Sequence, residues 1–207
     1  MIRFDKVTIR FNGKTVVSDF SLSVEQNEKV VLYGDSGKGK TTLFKTILGF
    51  VPVSEGTITV NGIPATSKES WNIRKQVAYI PQNSDIGEGS VKGIIDLVFT
   101  LRENSRIAPR RDEVLSLFDF FELTPEKLDM PFEDLSGGEK QRVVIITSLL
   151  LKRNIFLLDE ITSALNERIK DKVIEYFLSH SGWTILAVSH NAQKWEREGV
   201  RLVSLEA

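Results

Sequence analysis

The chain has no cysteine among its 207 residues. It also has almost no excess of one charge, because 27 lysine and arginine residues nearly balance 28 aspartate and glutamate residues, for a formal net charge of −1 at pH 7. The absence of cysteine excludes disulfide bonds, thiolate metal ligands and cysteine nucleophiles. The balanced charge argues against a surface that holds nucleic acid through positive charge. We therefore expect no nucleic-acid partner.

Long hydrophobic runs are also missing. The best candidate, "VVIITSLLL" (Val143–Leu151), is much shorter than the roughly 20 apolar residues that span a bilayer. The N-terminal stretch "MIRFDKVTIRF" alternates apolar with charged residues and lacks the apolar segment of a signal peptide. We expect a protein that is soluble by itself, so that any membrane part comes from a separate chain.

The pattern of apolar residues predicts an α/β fold. The first sixty residues alternate as strands do, with a bulge in the first strand and a hairpin turn at Asn12-Gly13. The short apolar runs "VVLYG", "NIFLLDE" and "WTILAVSH" predict strands buried on both faces of a parallel sheet. Residues from about 84 to 135 are helical in period, so we expect a helical insertion within one domain that covers residues 1–207.

The segment "GDSGKGKTT" (Gly34–Thr42), named the phosphate loop below, fits the pattern G-x-x-x-x-G-K-[ST] between a buried strand and a helix. Glycines let backbone N–H groups converge on phosphate oxygens, and the helix N-terminus adds positive potential. Lys40 is placed to reach the β- and γ-phosphates, and the Thr41 hydroxyl to bind Mg²⁺. The alternative is a glycine-rich turn without a ligand. The predicted nucleotide-binding residues are Gly34, Asp35, Ser36, Gly37, Lys38, Gly39, Lys40, Thr41 and Thr42.

Two acidic residues end the apolar run "IFLLDE". Asp159 ends the predicted strand, where its carboxylate can face a metal bound near Thr41. Glu160 follows it and points in a different direction, so it can act as a general base on a water molecule beyond the γ-phosphate. The alternative is that both acids only solvate the end of a strand.

The segment "LSGGEKQR" (Leu135–Arg142), named the signature below, has Ser136 and Glu139 in the spacing of a capping box. A well-capped helix is therefore one interpretation. Gly137 and Gly138 are poor helix formers, at a cost of about 1 kcal/mol each, which favours close approach by another molecule. The free N–H groups of such a helix start bind anions.

These motifs, in this order, resemble those of ATP-binding-cassette (ABC) ATPases, the nucleotide-binding subunits of ABC transporters. The resemblance covers nearly the whole chain, and the signature is specific to that family. It implies a P-loop NTPase (RecA-like) core with a mostly parallel sheet, an N-terminal antiparallel β subdomain and an inserted α-helical subdomain. It also assigns further residues: Gln82 in "YIPQ" as a Mg²⁺ ligand that positions water, "SALN" as the D-loop, His190 in "VSH" as a contact to the γ-phosphate, and Phe11 as the ring that stacks on adenine.

The family resemblance further implies ATP and Mg²⁺ as cofactors and a head-to-tail dimer on ATP binding, with a second copy or a related ATPase. The signature residues Ser136, Gly137, Gly138 and Glu139 of one subunit then close over the ATP held by the other. An integral membrane permease would be the partner, with the chain cytoplasmic and peripheral on the inner face of the cell membrane. Ile86, Val91 and Ile94 are candidates to line the groove that receives a helix of this permease, or else core residues.

This sequence departs from the family pattern in three places. Asn166 and Asn191 stand where aspartate is common, and the chain stops without room for the regulatory C-terminal domain of some sugar importers. Details of the motifs are similar to short bacterial ABC ATPases linked to metal export, iron among them. A different function stays open, namely a cassette that drives assembly work such as iron–sulfur cluster delivery or division-site regulation. DNA-repair relatives are disfavoured because no sustained heptads precede the signature.

Overall fold

The computed structural model describes residues 1–11, 13–35 and 37–205, apart from the side chain of Phe11. The chain divides into two compact units. The first comprises Met1–Tyr79, Asn154–Glu160 and Leu178–Ala207, and the second comprises Ile80–Arg153 and Ile161–Phe177. The helical insertion expected at about residues 84–135 lies within the second unit. The single domain over residues 1–207 stays a prediction.

The strands of the described residues form two sheets, one of four strands in the order β2-β1-β4-β5 and one of five in the order β6-β7-β8-β3-β9. Their bounds are β1 (Ile2–Phe11), β2 (Lys14–Val24), β3 (Lys29–Tyr33), β4 (Glu55–Val60), β5 (Ile63–Pro64), β6 (Val77–Ile80), β7 (Ile155–Asp159), β8 (Thr184–Val188) and β9 (Val200–Ser204).

The four-stranded sheet is antiparallel, as predicted for the N-terminal region. Strand β1 pairs with β2, and the register shifts between Phe4 and Val7, which confirms the predicted bulge. Ile2, Phe4 and Val7 are all buried. Between Phe4 and Val7 the alternation of apolar residues shifts by one position, and the extra residue of the bulge returns Val7 to the buried face of the sheet. Phe11 pairs with Lys14 at the hairpin end. Asn12, half of the predicted turn, lies outside the described residues.

The five-stranded sheet positions the candidate site. Strand β3 runs parallel to β8 and β9, and β7 runs parallel to β8. The apolar runs of β3, β7 and β8 are buried along nearly their whole length, which confirms the parallel sheet covered on both faces. Val188 is in register with both Leu32 and Asp159. The carboxyl ends of these three strands therefore lie side by side.

The helices have the bounds α1 (Lys40–Ile47), α2 (Ser70–Arg74), α3 (Val91–Thr100), α4 (Arg111–Phe120), α5 (Gly137–Leu150) and α6 (Glu167–Ser179), with short 3₁₀ turns at Pro125–Asp129, Phe132–Asp134 and Ala192–Trp195. In the first unit, α1 buries Leu43, Phe44 and Ile47 in the core. Each such side chain contributes roughly 1.5–3 kcal/mol through burial, which anchors the helix that follows the phosphate loop. Within the described residues, no helix is long and apolar enough to cross a bilayer.

The helices of the second unit have the predicted apolar faces. On α4, Val114 and Phe118 are buried, together with Phe121 just beyond the helix. On α3, Val91 and Ile94 are also buried, with 0% and 5% of their surfaces exposed. They are therefore core residues and do not line an open groove. Ile86, in contrast, is 41% exposed.

Candidate functional site

The phosphate loop connects β3 to α1, as the sequence predicts. Helix α1 begins at Lys40 with Gly39 in the N-cap position, and no side chain caps its first N–H groups. A helix start without a capping side chain leaves N–H donors for a ligand and carries positive potential. The loop therefore presents the backbone groups that phosphate oxygens need. Ser36 of the loop lies outside the described residues.

Gly39 is required by both its conformation and its neighbours. Its φ angle is +82°, and a Cβ at this position would lie 2.7 Å from a methyl of Val17 and 2.8 Å from one of Val16. No side chain fits at that separation without displacement of strand β2. The start of α1 is thus held closely against β2, which fixes the direction of its free N–H groups.

Lys40 is nearly fully buried, with 5% of its surface exposed. Its Nζ donates hydrogen bonds of 2.8 Å to the carbonyl oxygens of Gly34 and Asp35. These contacts satisfy the ammonium group inside the loop and hold it at the loop's centre. A phosphate that enters the loop can replace these neutral carbonyls as the acceptor, because an ionised acceptor adds direct Coulomb attraction to the ammonium group.

The Asp159 carboxylate lies beside the first turn of α1. Thr41 Oγ1 donates to its Oδ1 over 3.0 Å, and the Tyr79 hydroxyl donates to its Oδ2 over 3.1 Å. Asp159 itself is 1% exposed. Burial raises the pKa of Asp159, although the hydrogen bonds from Thr41 and Tyr79 and the charges of Lys45 and Lys40 oppose the rise. The pKa of Tyr79 is raised well above its ordinary value. Burial is the largest cause, and the charge of Asp159 and the hydrogen bond to Asp159 add to it.

The oxygen atoms of Thr41 and Asp159 fit a magnesium site. Mg²⁺ prefers oxygen ligands and is usually held by one or two carboxylates together with substrate phosphates. Among the described residues, no group of three or more His, Cys, Asp or Glu side chains could hold a metal. A nucleotide-dependent site does not need such a group, because phosphates and water complete the coordination.

Glu160 has an unusual backbone conformation for its residue type. Its φ angle is +50°, a region that costs an L-residue roughly 1–2 kcal/mol. The backbone N–H of Glu160 donates to the carbonyl of Val188 over 3.0 Å, which ties the turn to the end of β8. The His190 Nε2 atom lies 2.6 Å from Glu160 Oε1. The strained turn thus directs the Glu160 side chain away from that of Asp159 and towards His190.

The first unit therefore contains two contacts between predicted site residues, Thr41 with Asp159 and Glu160 with His190. The members of the two pairs are chain neighbours at Asp159 and Glu160, and Lys40 directly precedes Thr41. The assignment of roles to them stays a prediction. Gln82, two residues beyond β6, is exposed and belongs to the second unit, as does the signature. The side chain of Phe11, predicted to stack on adenine, lies outside the described part of the chain.

The signature begins helix α5 with a complete capping box. The Ser136 N–H and Oγ donate to Glu139 Oε2 over 2.9 and 2.8 Å, and Ser136 Oγ caps the Glu139 N–H. Lys127 Nζ lies 3.0 Å from Glu139 Oε1. Partial burial raises the pKa of Glu139, but the hydrogen bonds from Ser136 and Lys127 and the charge of Lys127 outweigh it, so the pKa falls to about 2.

The two glycines of the signature have different surroundings. A Cβ on Gly138 would lie 3.0 Å from the carbonyl oxygen of Ala164, so close packing of the "SALN" segment explains this glycine. A Cβ on Gly137 would have nothing within 4 Å. Only Gly137 is thus left open to a second molecule. The sequence suggested such an approach for both glycines, and the contact with Ala164 was not visible in it.

Three further residues of the motifs have structural contacts that the sequence alone did not show, namely Arg142, Gln141 and Asn166. Arg142 Nη1 donates to the carbonyls of Phe121 and Glu122 over 2.9 Å, which fixes the signature helix against the end of α4. Gln141 is buried and its Nε2 lies 3.5 Å from the carbonyl of Pro81. Asn166 Oδ1 accepts the Ile169 N–H over 3.0 Å, so the asparagine caps the start of α6.

Comparison with known proteins identifies the family of the chain. The family model described as ABC transporter matches residues 17–163. The lactococcin-G-processing and transport ATP-binding protein LagD of Lactococcus lactis subsp. lactis is 34% identical over 197 residues, which cover 92% of this chain and 28% of LagD. The glutamate/aspartate import ATP-binding protein GltL of Escherichia coli strain K12 is 32% identical over 195 residues, which cover 92% of this chain and 80% of GltL.

A solved structure shows the same fold. The dimeric post-hydrolysis state of the ATP-binding cassette MJ0796, bound to ADP and Pi, has a TM-score of 0.86 and 23% identity, and covers 100% of this chain and 94% of that chain. The fold is thus that of a P-loop ATP-binding cassette, which confirms the predicted fold class. The chain belongs to the ABC transporter family. It spans about a quarter of the length of the first lactococcal relatives, at 28% and 25%.

Proposed function

We propose that this chain binds ATP and hydrolyses it to ADP and phosphate, and that hydrolysis drives transport through a separate membrane permease. The observation that carries the proposal is a pair of contacts at the carboxyl ends of β7 and β8. There, Asp159 contacts Thr41 of the phosphate loop, and Glu160 contacts His190. A metal-facing carboxylate, a second acid and a phosphate loop in one unit are the parts that phosphoryl transfer to water requires.

Binding begins with the phosphate loop. The free N–H groups at the start of α1 hold the phosphates, and Lys40 moves its hydrogen bonds from the carbonyls of Gly34 and Asp35 to phosphate oxygens. Thr41 and Asp159 would hold Mg²⁺, which when bound neutralises the charge that develops on the β- and γ-phosphates. Because Asp159 is buried and hydrogen-bonded, its carboxylate is held in place for the metal–nucleotide complex, and Lys40 is the group that exchanges its partners.

Hydrolysis requires a group that orients water and takes its proton. Glu160 is suited to this task because its side chain is only 11% exposed. It directly follows β7, in the sheet whose strand β3 leads into the phosphate loop. A general base must be ionised to act, and an ionised carboxylate only accepts, so His190 would donate from Nε2 in this contact. His190 therefore fixes the direction of the carboxylate. As water attacks the γ-phosphorus, one proton passes to Glu160 and the bond to the ADP oxygen breaks.

The signature supplies the remaining part in our proposal. Ser136 and the open face at Gly137 would contact the γ-phosphate of ATP bound by a second copy, or by a related cassette, in a head-to-tail dimer. Lys140, the lysine of the signature, lies 3.8 Å from Asp85 and over the ring of Phe132, so the positive charge at that γ-phosphate would come from Lys40 of the copy that binds the ATP. Gln82 would contribute a Mg²⁺ ligand and Phe11 a stacking ring for adenine.

The family match and the names of the relatives support the transport part of the proposal. LagD is named for processing and transport and GltL for import. We place the chain at the cytoplasmic face of the cell membrane, peripheral to a permease. Placement in the metal-export group stays a prediction. Because the chain has no cysteine, single cysteines at the exposed residues Ile86, Leu97 and Leu101 allow cross-linking in native membranes. Capture of a membrane protein would support transport, whereas capture of a soluble scaffold would favour assembly work.

Phosphate release from ATP by the purified chain tests the enzymatic part directly. We expect Mg²⁺-dependent turnover that Lys40→Ala abolishes, because the variant loses the cation at the β- and γ-phosphates. Calorimetry should show that this variant has also lost tight ATP binding. Wild-type ATP affinity in Lys40→Ala would refute the assignment of the phosphate loop.

A further inference from the structure

We propose that Tyr79 is a positioning residue that orients the Asp159 carboxylate towards the magnesium–nucleotide complex, an inference that rests on the proposed function. Tyr79 lies on β6, within the motif region "YIPQ", but none of the motif arguments gives it a role. Its hydroxyl donates to Asp159 Oδ2 over 3.1 Å. The Thr41 hydroxyl donates to the other oxygen of the same carboxylate, Oδ1.

The two hydrogen bonds make the oxygens of Asp159 inequivalent. A carboxylate group rotates about its terminal torsion with a broad two-fold preference. The Tyr79 hydroxyl holds Oδ2, so that Oδ1 is directed to Thr41, the proposed metal ligand. When the Thr41 oxygen binds Mg²⁺, the contact from Tyr79 keeps Oδ1 in place at the metal side. Hydrogen bonds that orient a ligating carboxylate in this way typically change metal affinity or activity by about 10- to 100-fold.

The position of Tyr79 is itself well defined. Its ring contacts that of Phe44 edge to face, with 6.2 Å between the ring centroids and an interplanar angle of 83°. Phe44 is fully buried on α1, the helix that also carries Lys40 and Thr41. The aromatic contact sets the place of the ring and the hydroxyl reaches Asp159, so replacement by phenylalanine removes one function and keeps the other.

The test compares Tyr79→Phe with the unaltered 207-residue chain in the binding of a non-hydrolysable ATP analogue, titrated with Mg²⁺. We expect the affinity for the analogue in EDTA to stay within about twofold, because the phosphate loop is intact. The Mg²⁺ concentration that gives half of the metal-dependent gain should rise about tenfold. In an Asp159→Asn background, where the metal-facing carboxylate is gone, the same change of Tyr79 should have little further effect on the metal requirement.

Tyr176→Phe is a matched control, since Tyr176 is another half-buried phenol that packs against phenylalanines, Phe120 and Phe121. It should leave the metal requirement unchanged. An unaltered Mg²⁺ requirement in Tyr79→Phe would overturn the inference. An equal loss of affinity with and without Mg²⁺ would also overturn it, because a purely packing role has that signature. If the unaltered chain binds no analogue at all, the proposed function fails first, which is a different result.

Discussion

The Nε2 atom of His190 lies 2.6 Å from Oε1 of Glu160, although the two residues follow different strands of the parallel sheet. The contact depends on the strained turn at Glu160, whose φ angle is +50°. Strain of this kind persists only where surrounding structure enforces it, and it concentrates at functional sites. Here the hydrogen bond from the Glu160 N–H to the Val188 carbonyl enforces it. The backbone thus directs the Glu160 carboxylate towards His190.

Glu160→Gln should keep ATP binding and lose hydrolysis. The amide preserves the size of the side chain and can keep a hydrogen bond to His190, but it does not accept a proton from water. If hydrolysis opens the dimer, the variant should accumulate as an ATP-bound dimer on size-exclusion chromatography with ATP and Mg²⁺. Turnover of ATP at the wild-type rate would mean that Glu160 is not the general base.

Gly39→Ala should destabilise the protein and weaken ATP binding more than Gly37→Ala does. Both glycines have φ angles near +80°, but only Gly39 has neighbours within 4 Å of the added Cβ. The conformational cost is about 1–2 kcal/mol for either alanine, and overpacking against Val16 and Val17 adds about 1–3 kcal/mol for Gly39 alone. Urea denaturation and calorimetry with ATP measure the two effects. Equal losses of stability in the two variants would contradict the packing argument.

Asn166→Ala should lower the free energy of unfolding by about 1 kcal/mol, the typical value of an N-cap side chain. Asn166→Asp should be close to neutral for stability, because aspartate caps as well as asparagine and its charge favours a helix start. Asparagine therefore caps α6 in the way that an aspartate at this position would. Thermal unfolding of the three proteins measures the effect. A stable alanine variant would show that the bond to the Ile169 N–H has no net value.

Glu139→Gln should lower the free energy of unfolding at neutral pH. It should also reduce the amount of that free energy which is lost when the pH falls. The pKa of Glu139 in the folded chain is about 2, below its ordinary value of 4.5. A lowered pKa stabilises the folded state above the ordinary value, and that stabilisation is lost as the pH falls towards the folded-state value. Urea midpoints at neutral pH and at about pH 3 should therefore differ less between the two proteins in acid. A constant difference at both pH values would contradict an ionised, hydrogen-bonded Glu139.

The sequence predicted the parts of this site that follow from short local patterns. The phosphate loop, the capping box at Ser136 and the acids at the end of β7 each depend on residues that are neighbours in the chain. Contacts between distant residues were not predictable in the same way. The approach of Val16 to Gly39, the packing of Ala164 on Gly138 and the bond from Tyr79 to Asp159 all depend on tertiary packing. A tyrosine in the apolar run "VAYI" was the available signal for the last of these, since a buried phenol usually finds a hydrogen-bond partner.

A mixture of Lys40→Ala chains with Ser136→Arg chains should regain ATPase activity that neither variant has alone. In a head-to-tail dimer, the phosphate loop of one copy faces the signature of the other. Both defects of the heterodimer then fall in one composite site, and the second site has an intact Lys40 and an intact Ser136. Each homodimer has two damaged sites. Chains with different tags should first be shown to co-purify with ATP, so that exchange of subunits is established before activity is measured.

If the first mixture recovers no activity, a second mixture distinguishes a site shared between two chains from a site within one chain. It combines the wild-type chain with a double variant that carries both Lys40→Ala and Ser136→Arg, and the heterodimer is isolated through its two tags. If sites are shared, each composite site in this heterodimer has one defect, and activity should be absent. If each site belongs to one chain, the wild-type copy keeps a complete site and the heterodimer remains active. Activity in this second heterodimer would therefore refute the role of Ser136 at a partner's nucleotide. An inactive second heterodimer, together with recovered activity in the first mixture, requires that role.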